Sequence, residues 1–404
     1  MTMHERVRSK LYCRVSTRGI PHQSRRTLAI IGTLVILGGG AFAYRAWRSY
    51  GMRVPSPTES SAERSEPIAL RWLDGVPLPD GVAQPAAVSV VIDNAPEARP
   101  PAGLAAASLV FEVPVEGRRT RFLAVYALPT PLNDGAACEG CPTAYADPIG
   151  PVRSARPYFV GLADAIGAPL VHVGGSAAAL ALLKTRRHVN QYYDSPFTRD
   201  RSRLAPFNVF TSLLGLSTFV EDRGWADTLQ ARGSVLHQRL WPFTEHVGEG
   251  LASTDGSTIH LPFSQGERAF VVDWEYDETE GVYIRREGGA PFRDRDGAPI
   301  TAKNVVVLTV QSEVLDDIGR LHIPVMEPPI GSSFEGSIMA EEAAVFRGGQ
   351  RVNGRWSWED APSDAGLFGL RQMRDMESGE PEFLPIPLAP GTTWVEVVDW
   401  NYEL

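Results

Sequence analysis

Seventeen consecutive uncharged residues near the N-terminus, Leu28–Tyr44 (LAIIGTLVILGGGAFAY), constrain this chain more than any other feature. A membrane-crossing helix needs about 17–25 mostly apolar residues, and Ala46 and Trp47 extend the run beyond Arg45. Gly38, Gly39 and Gly40 would weaken the same run as a helix in water. Arg6, Arg8, Lys10, Arg14, Arg18, Arg25 and Arg26 precede it, whereas only Arg45, Arg48 and Arg53 follow closely. That bias predicts an N-terminus inside and a large C-terminal part outside. The expected layout is a basic cytoplasmic tail at 1–27 and a single transmembrane helix at 28–47 that anchors extracytoplasmic domains. A cleaved signal is the competing reading, with Ala41-Phe42-Ala43 as its small-x-small site. No cysteine closes the run, so the sequence gives no sign of lipid attachment there.

Charge divides the chain at the same place. Ten of its 39 Lys and Arg residues but one of its 48 Asp and Glu residues lie before residue 54, which leaves a formal charge of −18 beyond it. Such a surface repels nucleic acid and anionic lipid at long range, so no nucleic-acid partner is expected. Pro and Ser dominate residues 54–67, and a linker is expected over 54–84.

Short apolar segments then alternate with helical ones. Strands are expected at Ala87–Ile92, Ser108–Val115, Arg121–Leu128 and Pro169–Val173, and helices at Gly161–Ile166, Ala177–Lys184 and Ser212–Arg223. This predicts a mixed α/β domain over 85–240. From 241 to 404 the candidates are mostly strands: Ala269–Tyr276, Gly281–Arg285, Asn304–Val310, Glu342–Phe346, Gly354–Trp358 and Thr393–Val398, with some helix around Gly366–Met376. The fold class is therefore α+β or α/β, a mixed N-terminal domain followed by a smaller, mostly β domain.

Cys138 and Cys141 form a CxxC in a loop-like stretch. No second pair completes a four-ligand zinc site, and Pro142 stands where a thioredoxin-type pair would open a helix. A local disulfide is the expectation. No cofactor or metal site is expected, since HExxH, Walker, EF-hand and dinucleotide motifs are all missing. Asp93, His172 and Asp194 would hold a divalent ion only by converging in space.

Several polar clusters can carry chemistry. The stretch Gly150-Pro151-Val152-Arg153-Ser154-Ala155-Arg156-Pro157 sets two guanidinium forks beside Ser154, a candidate helix cap. Such forks suit carboxylate or phosphate, as do free amides at a helix start, and Arg121 lies in a neighbouring segment. The internal alternative pairs Arg153 or Arg156 with Glu112 or Glu116. Glu112 and His172 interrupt apolar strands and must be partnered if buried; on adjacent strands they would form an acid–base pair, and His172 is otherwise a satisfied core histidine. Gly174-Gly175-Ser176 resembles the strand-to-helix loop where α/β folds place ligands, although Ser176 also suits a simple N-cap. Asp93-Asn94 closes the first strand, and Asp194, Arg199, Asp200, Arg201 and Asn208 form a further polar group. Trp274, Tyr276, Tyr283 and Trp394 read either as a sugar-binding face or as the core of a small β domain.

Six stretches resemble the YerB-like family of bacterial envelope proteins: Val90–Tyr126, Ile149–Ala163, Val171–Leu180, Phe197–Ser212, Val272–Val307 and Pro387–Val398. GPVRSARPYF is the most specific of them. The resemblance implies two domains and, for many members, a lipoprotein anchor; it implies no reaction. The chain departs from the family pattern in its helix-like anchor, in the cysteine loop at 131–148, and at Phe207, where relatives tend to carry histidine. The leading functional expectation is a membrane-anchored binding module for an anionic cell-wall component or an envelope protein. A cell-wall-directed hydrolase or transferase using Glu112 or His172 is the second reading, and a structural scaffold the third.

Overall fold

The strand at Ala87–Asp93 is buried along its whole length, so neither of its faces meets solvent. A strand apolar on both sides belongs in the middle of a three-layer arrangement, and that is where it lies. The computed structural model describes residues 69–128, 147–236, 241–246, 250–264, 267–327, 341–357, 369–375 and 381–399.

The N-terminal region contributes β1 (Ala87–Asp93), β2 (Leu109–Val115), β3 (Arg119–Ala127), β4 (Leu170–His172) and β5 (His188–Asn190). Among the described residues four helices accompany them: α1 (Pro157–Ile166), α2 (Ala177–Leu183), α3 (Leu213–Asp222) and α4 (Ala226–Leu236). The C-terminal region is mostly β. It opens with β6 (Thr258–Pro262), β7 (Val271–Asp277) and β8 (Val282–Glu287). Then come β9 (Asn304–Val310), β10 (Glu341–Arg347), β11 (Gln350–Trp356), β12 (Arg371–Asp375), β13 (Pro381–Pro385) and β14 (Thr393–Asp399).

Both regions feed one 12-stranded sheet, ordered β13-β12-β11-β10-β9-β14-β2-β3-β1-β4-β5, with Thr254–Asp255 paired on β11. The seam is the parallel pairing of β14 with β2, in which Glu112 lies opposite Glu396. Residues 67–404 accordingly form one compact unit. Strands β6, β7 and β8, with Ala290–Pro291 and Thr301–Ala302, make a second sheet of five.

Alternation along the strands divides the core in two. Val91, Phe111, Leu123 and Val395 face α1 and α2 and pack on Tyr158, Phe159 and Leu183. Val90, Val110, Phe122 and Trp394 face the small sheet and α3, against Trp274, Tyr283 and Leu216. Trp274, Tyr283 and Trp394 are therefore core residues and not a sugar-binding face.

Four expectations need correction. Chain read as linker is folded from residue 69, where Leu70 bridges Pro77 and Trp72 and Leu73 are buried. The helix expected around Gly366–Met376 is the strand β12, because its backbone finds an antiparallel partner in β13. The transmembrane helix is not supported: no described helix is long and apolar enough to cross a membrane, and residues 28–47 lie outside the described residues. The disulfide is withdrawn as well. No disulfide is present among the described residues, and Cys138 and Cys141 fall outside them.

Candidate functional site

The GPVRSAR stretch is placed by backbone pairing. Arg153 N donates to Val91 O, Val173 N to Arg153 O, Ala155 N to Gly174 O and Ser176 N to Ala155 O. The segment thus runs between the end of β1 and the loop after β4. Gly174 sits at φ 58°, and a Cβ there would meet the Tyr192 ring at 2.9 Å, so only glycine fits.

Asp93 and Arg121 lie opposite each other on β1 and β3. Asp93 accepts from Arg153 Nε and, at 2.7 Å, from Ala95 N. Glu116, in the turn between β2 and β3, accepts from Arg121 at 3.1 Å and from both Nε and a terminal nitrogen of Arg156. Burial alone would raise the Glu116 carboxyl, but the Arg156 hydrogen bond and the Arg121 and Arg156 charges hold it at about 2. The guanidinium of Arg153 lies 5.5 Å from the Phe207 ring centroid, a cation–π distance. The three arginines are thus answered largely from within the protein.

A second cluster lies under the small sheet, on the other face of the same strands. Arg285 contacts Glu112 at 2.6 Å, Glu396 at 2.9 Å and Glu287 at 3.4 Å, and is fully buried. Trp394, Phe292, Trp274 and Phe122 surround its guanidinium at 4.7–5.5 Å. Asn94 Nδ2 reaches Glu112, Thr120 and Glu287 within 3.0 Å, and Arg99 donates to Glu287 at 2.6 Å. Trp274 Nε1 donates to Glu396 at 2.7 Å. Burial and the neighbouring Glu112 push the Glu396 carboxyl well up despite Arg285, and burial likewise raises Glu287. Burial thus opposes ionisation of two of the three carboxyls that share Arg285.

The third feature is open. A cleft of about 580 Å³ lies at the C-terminal ends of β4 and β5, lined by Ser154, Gly174, Gly175, Lys184, His188, Asn190, Tyr192 and Tyr193 among others. Ligands of α/β folds enter at strand C-termini, which favours this cleft over a similar one of about 550 Å³ around Ala168, Pro169 and Arg186 at the other end of β4. Tyr192 and Tyr193 are 65 % and 83 % exposed. Asn190 Oδ1 accepts from Gly174 N at 3.1 Å and Tyr192 N at 3.3 Å, tying the strand end to the glycine loop. His172 is buried behind the wall, and His188 forms part of it.

Two family models match this architecture: residues 73–226 fit the N-terminal domain, and residues 259–395 the C-terminal domain, of "Protein of unknown function (DUF3048)". The chain belongs to the DUF3048 family. The putative lipoprotein YerB of Bacillus subtilis (strain 168) is 25 % identical over 331 residues, 81 % of this chain and 85 % of that one. A crystal structure of B. subtilis YerB matches with a TM-score of 0.59 at 23 % identity, over 81 % of this chain and 96 % of that one, and shows the shared fold. This DUF3048 relative is named a putative lipoprotein, and no described helix is long and apolar enough to cross a membrane. The single-pass membrane localisation expected from the sequence is therefore withdrawn.

On the DUF3048 framework the residues singled out from sequence disperse. Asp93, Glu116, Arg121, Arg153 and Arg156 converge on one face, and Asn94 and Glu112 on the other. Glu112 and His172 are not neighbours, because β3 and β1 separate β2 from β4. Ser154 does not cap α1, whose N-cap is Arg156; it lines the cleft instead. Ser176 caps α2 by accepting from Ala179 N at 3.3 Å. Arg199 bonds Asn208 at 3.1 Å and Gln191 at 3.3 Å in an exposed group. No cluster of three or more metal-ligating side chains occurs among the described residues. Sequence reading missed Arg99, Arg285, Glu287 and Glu396, and also Lys184, His188, Asn190, Tyr192 and Tyr193. The polar–apolar–polar alternation of His188-Val189-Asn190 before two tyrosines was the available signal for the cleft.

Proposed function

We propose that the protein is a non-catalytic binding module whose ligand, a cell-wall glycan carrying an anionic group, enters the cleft beside β4 and β5. One observation carries the reading: Tyr192 and Tyr193 stand exposed at a cleft whose wall holds Lys184, His188 and Asn190. Aromatic rings left in solvent offer large, stiff apolar faces to a sugar ring, Asn190 supplies an amide, and Lys184 offers a cation to a carboxylate or phosphate. Among the described residues no carboxylate lines the cleft, so they offer it no paired acid and base of a glycan hydrolase, and Glu112 is locked to Arg285 elsewhere. The arginines carry no part of the proposal.

The test is calorimetric titration of the full chain with isolated cell-wall glycan fragments, beside a Tyr192→Ala/Tyr193→Ala double variant checked for folding. Micromolar binding that weakens at least about tenfold in the double variant, a difference of about 1.4 kcal/mol, is the expected outcome. Equal binding by both proteins, or no binding by the wild type, would sink the reading.

A further inference from the structure

The hydrogen-bond direction through His172 and His188 can be read from its buried end. His172 Nδ1 lies 2.7 Å from the Gly174 carbonyl oxygen, which also accepts from Ala155 N at 3.0 Å. A carbonyl only accepts, so Nδ1 of His172 carries a proton. Burial, and secondarily the neighbouring His188, lower the His172 imidazole to about 4, so at neutral pH the ring is uncharged. Its Nε2 is therefore a bare lone pair. That atom lies 3.0 Å from Nδ1 of His188, which must be the donor of the pair. Burial lowers His188 as well, and a neutral imidazole with its proton on Nδ1 has none on Nε2. Among the described residues no group partners His188 Nε2, and His188 lines the cleft.

We propose that His172 and His188 form a tautomer-locked pair that presents the unprotonated Nε2 of His188 to the cleft as an acceptor, so the ligand is one that donates a hydroxyl there. The inference rests on the cleft being the ligand site, and it narrows what can occupy it. A bare anion has no proton to give, and its charge would face the imidazole lone pair. A sugar hydroxyl donates to Nε2 and still accepts through its own lone pairs. Asn190, whose Oδ1 is already committed to Gly174 N and Tyr192 N, has an amide nitrogen that only donates. An acceptor at His188 and a donor type at Asn190, beside exposed tyrosine rings, match a polyhydroxylated ring. Lys184 remains for the acidic substituent of the same molecule. The pair thus sets specificity by orienting a hydrogen bond and takes no part in breaking one.

Two measurements decide it. The first is long-range proton–nitrogen correlation NMR on the ¹⁵N-histidine-labelled full chain at neutral pH. Both rings should show the Nδ1–H tautomer, the minor form of free histidine, and an Nε2–H form on either ring would overturn the pair. The second is titration with the disaccharide of N-acetylglucosamine and N-acetylmuramic acid, which carries hydroxyls and one carboxylate, with sulfate as competitor. Binding should fall at least about tenfold in His188→Phe, which keeps a flat ring and removes the acceptor, and sulfate should not displace the disaccharide. Wild-type-like binding by His188→Phe, together with loss in Tyr192→Ala/Tyr193→Ala, would overturn the hydroxyl acceptor and leave the cleft reading standing. Indifference of the wild type to the disaccharide would overturn the ligand class, and if it extends to every glycan fragment, the cleft reading too. The NMR result tests the pair in either event.

Discussion

The ends of β1, β2 and β3 carry two polar clusters, one on each face of the sheet, built from the same residue types and opposite in character. Toward α1, the partly exposed Glu116 holds the buried Arg121 and Arg156, and its carboxyl is depressed to about 2. Toward the small sheet, Glu112, Glu287 and Glu396 share Arg285 without solvent, and two of the three carboxyls are raised. In the first cluster cations outnumber anions; in the second, carboxylates outnumber guanidiniums and burial dominates. The outer cluster pins a turn and the GPVRSAR segment, while the inner one welds the N-terminal β2 to the C-terminal β8 and β14. The outer arginines are already engaged by Glu116 and Asp93 and the inner cluster is closed to solvent, which directs attention to the cleft, where side chains are exposed.

Removing the one cation that all three buried carboxylates share should have the largest effect. Arg285→Leu strands Glu112 and Glu396 in an aromatic box and leaves Glu287 to Arg99, and breaking a buried pair from one side costs about 3–5 kcal/mol. Urea unfolding of the full chain at pH 7 reads this directly. A loss below about 1 kcal/mol would mean that the inner cluster is not the weld between the two regions.

The outer cluster should yield less and show the opposite pH dependence. Glu116→Gln leaves one carbonyl oxygen to answer Arg121 and Arg156, a loss of about 1–3 kcal/mol for hydrogen bonds to charged groups. The folded carboxyl lies below its ordinary value of 4.5, so its stabilisation is complete above 4.5 and fades as pH falls toward about 2. The variant should approach wild-type stability across that window. A constant gap between the two proteins down to pH 2 would break the assignment.

Much of the framework was legible because apolar strands declare themselves. Asn304–Val310 was read to the residue, and most other strands to within a few, since runs such as NVVVLTV admit little else. The pairing was not legible. That β14 returns to lie beside β2 depends on contacts between residues 284 positions apart, as between Glu112 and Glu396, and no local pattern encodes a partner at that distance. The inner cluster was hidden for the same reason: Glu112 was visible as a charge in an apolar strand, but Arg285 lies in a polar-looking run, VYIRRE, whose alternate residues are buried only once the small sheet docks. The cleft was half legible. Gly174-Gly175-Ser176 marked the strand end, whereas His188, Asn190 and the tyrosines sit in a separate segment that only the parallel pairing of β4 with β5 brings alongside.

A smaller effect should separate the cleft from both clusters. Ser176→Ala removes the cap of α2, which carries Leu180 and Leu183 of the cleft wall, at a cost of about 1 kcal/mol. Because no charge is involved, the loss should be independent of pH between 5 and 8 on the rules that govern titrating groups. Faster amide hydrogen exchange should appear within α2, with β2 and β14 unchanged. Faster exchange across the whole sheet would show instead that cleft and core unfold as one.

The smallest effect at mildly acidic pH is expected from Glu396→Gln, and its growth with pH makes it the most informative of these substitutions. Oε1 of Glu396 accepts from Trp274 Nε1 and from Arg285, and a glutamine oxygen can keep both bonds. Burial raises the folded carboxyl above its ordinary 4.5, so the folded chain binds a proton that the unfolded chain releases. Stability is then fully present below 4.5 and declines as pH rises toward the folded value. Glutamine has no proton to lose, so its stability lacks that decline. The variant should lie within about 0.5 kcal/mol of wild type at pH 4.5, as an isosteric change between neutral groups would, and become the more stable of the two as pH rises above that. A variant that is destabilised at every pH would instead mean that Glu396 is ionised in the folded protein. Arg285 would then be balancing a full set of negative charges, and the contrast between the two faces of the sheet would lose its cause.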